Sequence, residues 1–288
     1  MQLILEEVGT LGALCRETAR ACGELMYEGE IGTGSTTTAL VDDDLGLKNI
    51  ASKNLVGNWI GVIEQDDNNE GIPVRIASWD GENTSLINEP AVSNAWSDGA
   101  NYIVTTQRIG VYADAVNRAI RDSFPYIVFP GDFTLTVVAD TYTYSMPTDA
   151  IFGGNEVGPD YIARIWGDKD GDQSNLEEIP NRHWRVLPKG ELWIHKAVES
   201  KYVDTDLIIE GYSRQLWLSW GSGEAWCYIP HTYIIPRASS YILHSRIGDK
   251  NAQDMSSVYY AESAQVLRES FMGPPANSRK VRNMILPS

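Results

Sequence analysis

The sequence predicts an α+β protein in which a discontinuous helical core is interrupted by two antiparallel β modules. Three observations carry this. Helical periodicity appears at both ends of the 288-residue chain and once in the middle, at 110–126. Between these segments lie long stretches of short alternating runs punctuated by Gly, Asn, Asp and Pro. Charge follows the same division: residues 31–107 carry 11 acidic against 3 basic side chains, and residues 128–225 carry 16 against 8, whereas 108–127 and the stretch from 226 onward are slightly basic.

In chain order, residues 2–28 form the first helix candidate. Ile4, Val8, Leu11, Cys15, Thr18, Cys22 and Leu25 follow a 4-3 spacing, a near-continuous heptad seam that Gly9, Gly12 and Gly23 weaken. Residues 31–107 hold five or six short strand-like runs with NNEG, DGEN and SDGA turns between them, the pattern of a small barrel or sandwich. The helix at 110–126 places Val111, Ala115, Val116, Ala119 and Ile120 on one face. Asp114, Arg118, Arg121 and Asp122 lie on the other, with Asp114 and Arg118 at the i,i+4 spacing of a favourable pair. Residues 128–225 form a hairpin-rich sheet, with RHWRVLPKGELWIHKA turning at Pro188-Lys189-Gly190. Helices are expected again at 231–247 and 252–272. The domain plan is thus a helical core from 1–30, 108–127 and 226–273, β modules at 31–107 and 128–225, and an extended arm at 274–288.

The formal net charge of −16 disfavours sequence-specific reading of duplex DNA but not a channel that DNA slides through. Three cysteines, Cys15, Cys22 and Cys227, do not make a disulfide framework, and Cys15 and Cys22 are spaced as core residues on one helical face. The N-terminus shows neither a leader nor a spanning segment, so assembly in a cytoplasm without membrane contact is expected.

Catalytic and cofactor signatures are missing from the sequence: no GxSxG, HExxH, CxxC, GxGxxG or Gly-Lys-Ser/Thr loop occurs, so no enzyme, cofactor or metal is expected. Gly32–Thr38 has the composition of a phosphate cradle without its lysine and reads as a junction. Residues 168–178 place Asp168, Asp170 and Asp172 as in a calcium loop, but Gln173 replaces the required glycine and Ile179 the final glutamate, which favours a solvated hairpin loop. Asp42-Asp43-Asp44 and Glu64, Asp66 and Asp67 read as solvated turns. The histidines His183, His195, His231 and His244 lack triad or ligand spacing and read as structural. Nine tryptophans fit small β cores and interfaces, or sugar-stacking platforms.

Three pieces of sequence resemble tailed-bacteriophage neck proteins of the head–tail connector (adaptor) group: TGSTTTALVD, the helix segment with Asn117, Ala119, Ile120, Arg121 and Asp122, and the WRVLPKGELWI…LIIEGY hairpin series. The resemblance implies a non-enzymatic virion protein that assembles as a homo-oligomeric ring, usually of twelve copies. Such a ring sits at the neck between the portal protein and tail or tail-completion proteins and extends the DNA channel. It further implies that the C-terminal arm, with Arg279, Lys280 and Arg282 followed by Met284, Ile285 and Leu286, reaches the portal or a neighbour. Arg118 and Arg121 are candidate ring contacts. The alternative is a carbohydrate- or receptor-binding phage tail protein using exposed tryptophans; a glycan-cleaving enzyme is a third reading for which no carboxylate pair stands out.

Overall fold

The structure is a computed structural model that describes residues 9–47, 55–63, 68–80, 84–148, 150–152, 155–168, 175–221, 226–269, 274 and 278–280. It is an α+β protein with antiparallel sheets, and its chain divides into two compact units, Met1–Asp122 with Trp217–Glu269 and Ser123–Leu216 with Ser270–Ser288.

In the first unit, Thr10 caps α1 (Leu11–Ala21), its hydroxyl accepting from the Ala13 amide at 3.3 Å. The expected seam stops there. Gly23 takes φ +67°, a left-handed conformation that ends the helix, and the chain turns into strand β1 (Leu25–Glu30). Residues 25–28, expected as helix, are therefore strand; those before Gly9 lie outside the described residues. Leu11, Cys15, Thr18 and Cys22 are buried as the seam predicts. Gly12 is needed because a Cβ there would run into the Ile63 carbonyl.

The strands that follow are β2 (Ala39–Val41), β3 (Trp59–Val62), β4 (Val74–Asp80), β5 (Ser85–Glu89) and β6 (Asn101–Thr105), with a helical turn α2 (Asp44–Leu47) after β2. Their order is β1-β6-β3-β4-β5-β2, so the chain's early strand pairs with its latest one and β1 and β2 are the two edge strands, unpaired with each other. The sheet is not a closed barrel. Its core gathers Leu40, Ile60, Ile76, Leu86, Tyr102 and Val104.

Helix α3 (Ile109–Ser123) buries Tyr112, Ala115, Val116, Ala119 and Ile120 but leaves Val111 exposed. Two C-terminal helices complete this unit, α5 (His231–His244) and α6 (Lys250–Glu269). Hydroxyl-to-carbonyl bonds join them: Tyr233 on α5 to Ala119 on α3 at 3.3 Å, Ser256 on α6 to Ser240 on α5 at 2.8 Å, and Tyr259 on α6 to Ala21 at 3.2 Å. Only Ala252, Ser256 and Ser263 of α6 are buried, small residues that let it lie close to α5.

The second unit is built on β7 (Phe129–Thr136), β11 (Tyr161–Asp168), β12 (Leu176–Glu178) and β15 (Asp206–Ser213), in the order β12-β11-β15-β7. Strand β15 alternates exposed and buried positions, the period-2 pattern of a sheet covered on one face. A smaller sheet joins β8 (Thr143–Tyr144), β13 (Trp184–Val186) and β14 (Leu192–Ile194), the last two linked through the Pro188–Gly190 turn with Gly190 at φ +80°. A ribbon of β9 (Ala150–Phe152) and β10 (Asn155–Val157) forms a two-stranded sheet of its own. The strand run expected through His195 ends instead at Ile194. There the His195 ring accepts from the Ala197 amide at 3.0 Å and starts α4 (Lys196–Tyr202), whose Val198 and Tyr202 face the core.

Candidate interaction site

The residues on α3 that carry charge do not pair as the spacing predicts. Arg118 lies over the Tyr241 ring of α5, its guanidinium 4.1 Å from the ring centre, and among the described residues no carboxylate salt-bridges it. Asp114 stays exposed, and Arg121 is exposed with Asp122 at 3.7 Å. Asp122 turns inward instead. It accepts from the Tyr241 hydroxyl and sits 3.5 Å from Arg237, whose Nε donates to the same hydroxyl at 2.7 Å. Arg237 also stacks on Tyr260 of α6, 4.1 Å from its ring centre. Burial, then the bond to Asp122, pushes the Tyr241 hydroxyl up to about 12, so it remains a donor throughout the physiological range.

This cluster shapes an open cavity of 390 Å³ between the helices, lined by Arg118, Tyr241, His244, Ser257 and Tyr260 among others. Two cationic or protonatable groups, two aromatic rings and hydroxyls therefore converge on one concave surface of an otherwise acidic chain. Such a surface can take a carboxylate or a phosphate, with Arg118 already held flat by Tyr241. Away from that cavity, α6 exposes Met255 and Val258 one turn apart.

Of the expected arm residues, Arg279 and Lys280 form a short strand, β16 (Arg279–Lys280), on the edge of β11 opposite Tyr161 and Ile162. Arg279 is spent within its own unit. Its guanidinium covers the Trp184 ring at 4.5 Å and donates to the carbonyls of Trp184 at 2.8 Å and Asn181 at 3.0 Å. Arg282, Met284, Ile285 and Leu286 lie outside the described residues.

Two buried carboxylates were not legible as such. Asp42, expected in a solvated turn, is 3% exposed and accepts from the hydroxyls of Tyr27 at 2.9 Å and Tyr102 at 2.8 Å. Asp43 and Asp44 beside it are exposed. Glu24, 5% exposed, accepts from the Tyr112 hydroxyl at 2.7 Å, from the Gln107 amide and from Arg246. Both are closed inside the unit and offer no surface to a ligand. Asp168, expected in a solvated loop, is instead 4% exposed at the end of β11, where it pairs with Leu176 of β12; residues 169–174, with Asp170 and Asp172, and Glu64, Asp66 and Asp67 lie outside the described residues.

The histidines, cysteines and tryptophans differ in their surroundings. His183 and His195 stack at 5.4 Å between ring centres, and His231 and His244 are exposed. Burial pushes the Cys22 thiol up to about 11 and Cys227 to about 12, and raises Cys15 as well, so all three are protonated core groups rather than nucleophiles. Trp96 and Trp184 are buried, Trp59, Trp79, Trp166, Trp193, Trp220 and Trp226 are half-buried, and Trp217 alone is exposed, at 58%. Among the described residues no group of three His, Cys, Asp or Glu side chains could hold a metal ion, and no helix is long and apolar enough to cross a membrane. No protein-family model matches the chain, and no curated protein is similar to it in sequence.

Proposed function

We propose that this chain is a structural subunit of a tailed-phage neck, a protein that assembles with copies of itself into a ring joining portal to tail and lining the DNA channel. The observation that carries the reading is the outer surface of α3, α5 and α6. A ring needs two different patches on each subunit, one for each neighbour, and these helices present two: the Arg118 cavity on one side and the Met255/Val258 face of α6 on the other. Arg, Tyr and Met are the residue types that interface cores favour. The chain's surplus of negative charge suits a channel from which DNA must depart without sticking. The sequence resemblance to connector proteins supplies the rest.

The test is particle mass by light scattering and negative-stain imaging, of the protein alone and mixed with portal. Closed rings, alone or on portal, are expected. A protein that stays monomeric under both conditions would sink the reading. The carbohydrate-binding alternative draws on Trp217 alone, the one tryptophan in this chain with its ring largely in water. A glycan array that lights up with the wild type and not with Trp217→Ala would favour it.

A further inference from the structure

We propose that the cavity between α3, α5 and α6 is the seat for a carboxylate presented by a second copy of this chain, with Arg118 as the receiving cation. The inference rests on the reading of the chain as self-assembling and goes beyond it by naming the chemistry of one contact.

Three features argue for it. Arg118 is exposed, is pinned over the Tyr241 ring at 4.1 Å, and has no salt-bridging carboxylate among the described residues although Asp114 and Asp122 lie on the same helix. An arginine held by its ring face keeps its N–H edge free for a bidentate carboxylate and loses little entropy on accepting one. Its surroundings suit an anion with an apolar stem. Tyr260, 51% exposed, offers a ring, and Ser257 and His244 line the same concavity. The Ser257 hydroxyl donates to the Gln253 carbonyl at 3.1 Å, so its proton is committed within α6 and Arg118 is the group that supplies donors to the anion. Finally, charge complementarity selects the occupant. The acidic surplus lies in the β-rich stretches 31–107 and 128–225, so a second copy offers carboxylates there, whereas α3, α5 and α6 belong to the slightly basic stretches.

Arg118→Glu and Arg118→Lys decide the matter, with concentration-dependent sedimentation as the readout. Each is run at low and high sodium chloride beside the wild type, and circular dichroism verifies that the variants are folded. Wild-type association is expected to weaken with salt. Arg118→Glu should associate at least about tenfold more weakly and lose that salt response, and Arg118→Lys should fall between the two. Association of Arg118→Glu that matches the wild type overturns the inference while leaving the ring reading in place. A wild type that stops at dimers, broken by Arg118→Glu, supports the inference and counts against the ring. If Arg118→Glu self-associates normally but no longer binds portal, a different protein occupies the cavity and the second copy is excluded.

Discussion

The two units of this chain bury charge in different ways. In the unit formed by Met1–Asp122 and Trp217–Glu269, tyrosine hydroxyls hold the carboxylates: the buried Asp42 by Tyr27 and Tyr102, the buried Glu24 by Tyr112 together with Arg246, and the half-buried Asp122 by Tyr241 together with Arg237. In the unit formed by Ser123–Leu216 and Ser270–Ser288, arginine is the organising group. Arg214 takes Asp160 through two nitrogens and lies over Phe124 at 4.0 Å, Arg185 covers Trp193 at 4.7 Å, and Arg279 covers Trp184. A buried carboxylate depends on every donor around it, because each lost donor leaves charge unsolvated. A half-exposed guanidinium keeps water as an alternative partner. Asp160, 8% exposed, is buried too, but the Arg214 that holds it has a side chain 23% exposed and keeps that alternative.

The largest expected difference comes from Glu24. Glu24→Ala strands Arg246, Gln107 and the Tyr112 hydroxyl together and should cost about 3–5 kcal/mol in denaturant unfolding. Arg214→Ala, in the other unit, should cost about 1.5–3 kcal/mol. Equal losses would erase the contrast. Next come Tyr27→Phe and Tyr102→Phe, each expected to lose about 1–3 kcal/mol, with the double variant departing from additivity because both hydroxyls serve one oxygen of Asp42.

Alkaline pH should separate the units without mutation. Burial holds the Cys22 thiol at about 11 against 9.0 in the open chain, and Tyr241 at about 12 against 10.0. Folded groups thus keep protons that unfolded ones shed, so stability is intact below pH 9 and declines as pH climbs from 9 through 12. Each such group contributes on the order of 1 kcal/mol by one pH unit above its open-chain value. Thermal melts across pH 7–11 should show the first unit's melting point falling more than the second's. Arg279→Ala should cost about 1 kcal/mol and speed amide exchange at Tyr161 and Ile162 while the first unit's amides keep their protection. Smallest of all, Trp217→Ala should move stability by less than about 0.5 kcal/mol; a large loss would mean that its exposed ring is hiding a packing role.

How legible each part was follows from the range of the interactions that set it. Helix α3 was predicted at 110–126 and runs Ile109–Ser123, because its stripe is local and Pro125 limits its end. Helix α6, expected at 252–272 and found at Lys250–Glu269, is as local. Helix α1 was overrun because the 4-3 spacing continues to Leu25 while a single left-handed glycine breaks the chain at residue 23. Helix α4 was lost to the strand pattern before it, although Val198 and Tyr202, four apart, carried the signal. The buried carboxylates left no local trace. Asp42 is solvated or buried according to whether Tyr102, sixty positions away, reaches it, and a run of three aspartates gives no hint of which one turns inward. The same holds for the candidate site: Arg118 was singled out as a ring contact, but its partner Tyr241 lies on a helix more than a hundred residues later.

That distance bears on synthesis. Gly9 accepts from the Cys227 amide at 3.0 Å, and Glu24 waits for Arg246, 222 positions on. A ribosome adding about 5–20 residues per second finishes residues 123–216 well before it delivers α5 and α6. During that interval the buried Leu14, Cys15, Val116 and Ile120 of α1 and α3 lack α5, which packs against α1 and reaches α3 through Tyr233. The first unit is thus begun first and closed last. A chain halted before Trp217 should expose that apolar seam and need a chaperone, whereas release of the last helices converts it, in one late step, into a closed core.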